Sequence, residues 1–246
     1  MHFPVRQRQA ELMDNPSLDE ATHRRALEGL RRINWWSRTD AAIWKAVETC
    51  LSEHSSVCPI AILDVACGGG DLAIRLGRRF LQAGIPVQIQ GCDISATAIH
   101  FAREQARAAG LTSLDFVLCD ALEEPFPQRQ YDIVMSSLFL HHLSETDGVR
   151  LLRRMKAATR CLLLIDDLRR TSTGYWLAWL GCRVLSRCPV VHFDGPVSVA
   201  GAFTTVEAGD IATAAGLADF TIETHWPQRF LLVWRAVSGA SAEPAE

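Results

Sequence analysis

The stretch Ile60-Ala61-Ile62-Leu63-Asp64-Val65-Ala66-Cys67-Gly68-Gly69-Gly70-Asp71 decides the fold. Residues 60–66 are apolar except for Asp64, as expected of a strand buried on both faces. Three glycines make a turn. Leu72, Leu76 and Phe80 then recur at helical spacing, up to a stop at Gly84. A strand, a glycine turn and a helix N-terminus in that order let a ligand approach the backbone and meet free N–H groups.

The alternation continues downstream. Residues 87–92, 116–119, 131–138 and 161–165 read as further strands. Ser95 caps a helix that Gly110 ends, and Ser144 with Asp147 forms a capping box for a helix reaching Ala158. Strict alternation predicts a doubly wound α/β domain on a parallel sheet. The tail departs from it. Thr204 and Glu207 cap a helix, then strands at 220–224 and 230–234 are joined only by Trp226-Pro227-Gln228. So short a link permits only antiparallel pairing.

Upstream, a helix opens at Pro16-Ser17, with Ser17 and Glu20 as its capping box. The chain breaks at residues 34–37, and Thr39 caps a second helix with Ile43, Val47 and Leu51 on one face. A loop through Ser55-Ser56 follows. The organisation expected is an N-terminal helical lid over residues 1–56 and a domain over 57–246. That domain carries an insertion at 168–203 that the alternation does not need. Within the insertion Trp176, Leu180 and Val184 form a helical stripe beside Tyr175 and Trp179, which suits core packing or the wall of a pocket.

Bulk properties exclude several classes. The 246 residues are 48% hydrophobic and 22% charged, with a net charge of -3, so no positive field is available to hold nucleic acid. The eight cysteines have no C-x-x-C spacing, which argues against zinc and suits free thiols in a reducing cytosol. The first sixteen residues show no apolar signal region, and residues 171–182 are too short to span a bilayer. A cytoplasmic location is expected. Peripheral membrane contact is left to the insertion, where Arg169-Arg170, Arg183 and Arg187 suit anionic head groups.

Gly68, Gly70 and Ala73 satisfy the loose dinucleotide pattern G-x-G-x-x-A, which leaves a nicotinamide oxidoreductase open. Three features point elsewhere. Asp64 is a carboxylate inside the strand, where a dehydrogenase has no use for one. Asp120 follows the third strand, placed to accept from an adenine amino group. An antiparallel pair closes the chain.

With residues 63–70, 91–95, 119–121 and 131–143 in this order and spacing, residues 60–165 resemble the core of class I S-adenosylmethionine-dependent methyltransferases of the quinone-methyltransferase type. The resemblance implies a Rossmann-like seven-stranded sheet with an antiparallel last strand. It implies S-adenosyl-L-methionine as cofactor, with Gly68 and Gly70 beneath its methionine moiety, Asp93 on the ribose and Asp120 on the adenine. Asp64 would answer the α-ammonium group, and Ala66, Ile94, Ala121 and Ser137 belong to the same cofactor site. The expected reaction is O- or C-methylation of a small lipophilic aromatic acceptor such as a phenol, quinol or polyketide. The alternatives are a non-catalytic S-adenosylmethionine-binding protein and a protein or nucleic-acid methyltransferase; against the latter, Ser136-Ser137-Leu138-Phe139 stands after the fourth strand in place of an Asn-Pro-Pro-Tyr-like element.

His141 and His142 follow the fourth strand, at the sheet edge where ligands bind, and either suits a general base. Trp35, Trp36, Trp176 and Trp179 are expected to wall the acceptor pocket. Asp166-Asp167 follow the fifth strand with no third acidic ligand in sight, so no metal site is expected. Those two residues read as a turn cap or as partners of Arg169-Arg170.

Overall fold

A computed structural model describes residues 5–15, 17–53 and 59–236. The 60–65 run forms β1 (Ile60–Val65), and the alternation builds α3 (Asp71–Ala83), β2 (Val87–Asp93), α4 (Ala96–Ala108), β3 (Leu114–Leu118), β4 (Tyr131–Ser137), α5 (Glu145–Ala158) and β5 (Thr159–Leu168). Before them come α1 (Glu20–Ser37) and α2 (Thr39–Glu53). After them come α6 (Ser172–Leu185), α7 (Pro189–Gly201), α8 (Thr205–Ala214), β6 (Thr221–His225) and β7 (Arg229–Arg235). The seven strands lie in the order β3-β2-β1-β4-β5-β7-β6. The first five are mutually parallel, and β7 runs antiparallel to both β5 and β6.

Successive residues of a strand point to opposite faces, so each buried strand feeds two cores. Ile62, Ile89, Ile133 and Leu162 pack with residues of α2, α3 and α4, where Trp44 meets Phe80 edge-on at 5.0 Å between ring centroids. Leu63, Val65, Val134 and Leu163 pack on the other face against α5 and α8. Gly70 caps α3 in the left-handed conformation, with φ 72°. A Cβ there would sit 2.8 Å from the Phe116 ring, so the turn tolerates no side chain.

Several local expectations change. Asp19, not Ser17, caps α1, by accepting from the Thr22 N–H; Ser17 instead hydrogen-bonds to Asn15. Pro16, the Ser55-Ser56 loop and Cys58 lie outside the described residues. The helix continues through residues 34–37 and breaks one residue later, at Arg38 in the left-handed region. The Thr39 hydroxyl turns to Ser37 and Arg229 rather than to a helix N–H. Strand β3 begins and ends earlier than its apolar pattern suggested, and β5 runs three residues further, through Asp166 and Asp167. Helix α2 belongs to the core, since Ile43 and Val47 are fully buried. Coverage of the sheet edge falls to α1 and residues 5–15. Their backbone and side chains hydrogen-bond to α7 and to the turn after β4.

Candidate functional site

Strands β1 to β4 end at one edge of the sheet, with β1 between β2 and β4 at the topological switch point. A cavity of ≈ 820 Å³ opens there. It is lined by Asp64, Ala66, Gly68, Asp93, Ile94, Asp120, Ala121 and Ser137, so eight of the nine expected cofactor residues converge. Gly70 does not line it, since its place is against Phe116 and Ala102 behind the wall. At Gly68, with φ 52°, a Cβ would meet nothing within 4 Å, because the cavity lies in front of it.

Asp64 is 1% exposed, and its Oδ2 has no hydrogen-bond partner among the described residues. Burial raises its pKa well above the usual carboxylate range, and the charges of Asp71 and Asp93 push the same way. A buried carboxylate without a partner is costly, and it favours either a proton or a cation beside it. Asp93 accepts from the N–H groups of Gly68 and Ser95, both at 2.8 Å, and so ties the glycine turn to the start of α4. Burial nevertheless pushes its pKa up. Asp120 uses Oδ1 to accept from the N–H groups of Leu122 at 2.9 Å and Glu123 at 3.3 Å, so it shapes its turn as well as facing the cavity. Ile94, 71% exposed, offers an apolar surface at the mouth. Ala66 and Leu138 hold left-handed backbone, with φ 55° and 57°, at the ends of β1 and β4. Such strain in non-glycine residues clusters at ligand sites, and both residues line this one.

The other half of the cavity is largely apolar, with Leu27, Leu30, Ile33 and Trp36 from α1 and Leu177 and Leu185 from α6. The expected tryptophan wall does not form. Of the four rings only Trp36 lines the cavity. Trp35, Trp176 and Trp179 are 72%, 53% and 38% exposed and face solvent, because α6 turns Leu177, Ala178 and Gly181 inward instead. The Trp176 stripe is therefore neither core nor pocket. Trp176→Ala should leave Tm within roughly 1–2 °C of the parent in a thermal melt, the scale of surface substitutions in a chain of this size.

The polar end of the cavity differs most from expectation. His141 Nδ1 lies 2.6 Å from Asp167 Oδ1, and its Nε2 lies 3.4 Å from Glu11 Oε1. Burial opposes a charge on this ring, but the Asp167 and Glu11 carboxylates outweigh it and push its pKa up to about 10. At neutral pH His141 is thus an imidazolium that donates to two acids, and it is a poor proton acceptor. His142 is half-buried, with Nδ1 2.9 Å from Asp14 Oδ2 and Nε2 3.8 Å from Glu11 Oε1. Asp166 and Asp167 pair with neither Arg169 nor Arg170. Asp166 takes Arg229 at 3.0 Å and His225 at 2.6 Å, Asp167 takes His141, and Arg170 pairs with Glu207. Glu11, Asp14 and Leu138 carry no local signal in the sequence. Only the three-dimensional return of residues 5–15 across the edge brings the two acids here.

Residues 62–161 match the family model described as a methyltransferase domain. A 2-phytyl-1,4-naphtoquinone methyltransferase of Trichormus variabilis is 31% identical over 115 residues, 46% of this chain and 47% of that protein. An ajmaline N-methyltransferase of Rauvolfia serpentina is 28% identical over 114 residues, 46% of this chain and 38% of that protein. The chain therefore spans less than half the length of these two relatives. The structure of human N-acetylserotonin methyltransferase in complex with SAM shares the fold at a TM-score of 0.61 and 17% identity, covering 88% of this chain and 56% of that one. The strand order with antiparallel β7 and the family match together set aside the dinucleotide oxidoreductase reading. Over residues 62–161 the chain is similar to a methyltransferase domain, and its seven-stranded sheet has the Rossmann-like fold of the solved S-adenosylmethionine-dependent methyltransferases.

Proposed function

We propose that the chain transfers a methyl group from S-adenosylmethionine to a small, lipophilic organic acceptor. The observation that carries this reading is Asp64, a buried carboxylate without a partner that lines the cavity, between the glycine turn and Asp93. A cofactor with an α-ammonium group supplies the missing cation. Asp93 and Asp120 would then receive the ribose hydroxyls and the adenine amino group, with Ile94 against the ring. The cofactor, when bound, supplies an electrophilic methyl on a sulfonium centre. The chain's own residues hold the acceptor in line with it, and such orientation accounts for much of the rate in this kind of chemistry.

The apolar half of the cavity suits a phenol, quinol or polyketide, and the quinone and alkaloid named in the two relatives are small molecules of that breadth. His142, with one nitrogen held by Asp14, is the better placed of the two histidines to take the acceptor's proton. His141, whose two nitrogens are taken by Asp167 and Glu11, is the ring that packs beside His142, at 4.3 Å between centroids. Calorimetry with S-adenosylhomocysteine should show one-site binding, and Asp93→Ala should weaken it by about 1–3 kcal/mol. NADH binding in its place, or unchanged affinity in the variant, would overturn the assignment. Binding without methyl transfer to any lipophilic phenol or quinol would favour a non-catalytic role.

The outward face of α6 supports a second element of this reading, contact with an anionic membrane surface from which such an acceptor is drawn. Trp176, Trp179, Leu180 and Val184 are exposed on one helix, flanked by exposed Arg183 and Arg187. No helix among the described residues is long and apolar enough to cross a membrane. Sedimentation with phosphatidylglycerol vesicles should carry the parent protein down and leave Trp176→Ala/Trp179→Ala in the supernatant. Equal recovery of both would remove this element.

A further inference from the structure

We propose that Glu11, His141 and His142 form a binding site for a divalent transition-metal ion at the acceptor end of the cavity. The inference deepens the methyl-transfer reading: the ion, in place of His142 as proton acceptor, would hold an oxygen of the acceptor, and binding it displaces the proton that His141 Nε2 gives to Glu11; its geometry stands apart from the cofactor's. Each of the three residues offers one ligand atom, and the three atoms lie within 4.8 Å of one another. The Nε2 atoms of His141 and His142 are 3.4 and 3.8 Å from the same Glu11 oxygen. Ligand atoms at opposite ends of a tetrahedral edge around zinc are ~3.3 Å apart, given bonds of about 2.0–2.1 Å. Small side-chain shifts therefore suffice to close the trio on an ion.

The surroundings of the two rings carry the argument further. A metal-bound imidazole is usually held by a carboxylate on its other nitrogen, which fixes the tautomer and raises its basicity. Here both rings have that support, His141 Nδ1 from Asp167 at 2.6 Å and His142 Nδ1 from Asp14 at 2.9 Å. Both Nε2 atoms are thereby turned toward Glu11. The ring centroids are 4.3 Å apart, with 35° between the planes. Glu11 is in turn steadied by the Ser198 hydroxyl, which donates to the same Oε1.

Three carboxylates, Glu11, Asp14 and Asp167, contact the two rings, so with the His141 proton displaced the cluster is net negative and accommodates a cation. The guanidinium of Arg6 is directed to the backbone carbonyls of Gly201, His141 and Leu143, and that of Arg8 to the carbonyl of His142, rather than to these acids. Asp194 accepts from the N–H groups of Leu12 and Met13 and so anchors the turn that delivers Glu11 and Asp14. All three ligating residues line the cavity, which leaves a position open toward it. Two imidazoles and one carboxylate select zinc, iron or manganese over magnesium, which prefers an all-oxygen shell.

Titration calorimetry of the metal-stripped protein with Zn²⁺ alone, and with Mg²⁺ alone, tests this. One Zn²⁺ per chain is expected, with Mg²⁺ at least 100-fold weaker. Glu11→Gln and His142→Gln should each lose Zn²⁺ affinity by 100-fold or more, and the supporting change Asp14→Asn should lose about 10–100-fold. Thermal melts of the same samples show that the variants fold. S-adenosylhomocysteine affinity, read in parallel, reports on the methyl-transfer reading and not on the metal. Absence of zinc binding to the parent, or zinc binding that survives both Glu11→Gln and His142→Gln, overturns the proposal whatever the homocysteine result.

Discussion

Replacing Asp166 with alanine should lower the unfolding free energy by about 3–5 kcal/mol, the cost of leaving one member of a buried ion pair without its partner. Asp166 is fully buried at the end of β5, where it accepts from Arg229 at 3.0 Å, Ser137 at 2.9 Å and His225 at 2.6 Å. Burial alone would raise its pKa, but the charge of Arg229 and the bond from His225 hold it below the usual carboxylate value. Arg229, 2% exposed, also donates to Thr39 and Asn34, so one guanidinium joins β5 and β7 to α1 and α2. With Asp166→Ala that cation stays buried and unpaired. For a chain of this size the loss corresponds to a Tm lower by roughly 6–20 °C in a melt followed by circular dichroism. Asp166→Asn keeps hydrogen bonds and should lose less. The sign of the pH effect follows from the lowered native pKa. The contribution is present above the unfolded value of about 3.8 and disappears as pH falls through the native value, so parent and Asp166→Ala converge in strong acid. A Tm shift under about 2 °C at neutral pH would show that the network is dispensable.

Asp64→Asn should move two measurements in opposite directions. Its raised native pKa means that the cofactor-free fold holds a proton there to higher pH than the unfolded chain does. That contribution is greatest below the unfolded value of about 3.8 and declines as pH rises toward the native value. Asparagine has the same shape without a charge, so the cofactor-free variant should melt above the parent at neutral pH. S-adenosylmethionine affinity should fall by about 5–150-fold, the equivalent of about 1–3 kcal/mol for a polar partner removed from a buried site. In the parent, an ammonium group beside Asp64 favours its ionised form, and the affinity should therefore strengthen as pH rises toward the raised native value. If the variant instead melts lower and binds equally well, Asp64 serves the glycine turn and the cofactor assignment loses its main support.

The legibility of this chain divides along a physical line. Residues 60–165 were readable because each strand and helix leaves a local trace. Ile60 to Val65 is an apolar run, Ser95 and Ser144 are caps, and Gly84 and Gly110 are stops. Asp64, Asp93 and Asp120, which line the cavity, are legible because each closes or interrupts a strand at a position fixed by the alternation. Glu11 and Asp14 were not, because nothing in an exposed-looking polar segment says that it will return to the turn after β4. For the Asp166-Asp167 pair the turn-capping alternative suits Asp167, which accepts from the His141 and Leu168 N–H groups, whereas the arginine partners expected do not pair with either. Arg169 and Arg170 are near in sequence, whereas Arg229 is near only once β7 has paired with β5, and His141 only once β4 has. The tryptophans failed for a related reason. A helical stripe of period four fixes which residues share a face but not which face turns inward, and α6 buries its small residues.

The two halves of the cavity rest on different supports. Asp64, Gly68 and Asp93 hang from β1 and β2, each held between two neighbouring strands, and Asp120 follows β3, which is paired to β2. Glu11, Asp14, Leu30 and Leu177 are delivered by residues 5–15, α1 and α6, which lie outside the sheet. A protein engineer can treat the second set as an exchangeable cassette. Segments 5–37 and 172–201, grafted from a related domain, would change which molecule is accepted without disturbing the strands. The conditions for a successful graft are specific: Asn34 must be kept for Arg229, and Asp194 for the turn at Leu12 and Met13. A library built on those two anchors samples new acceptors on an unchanged chassis.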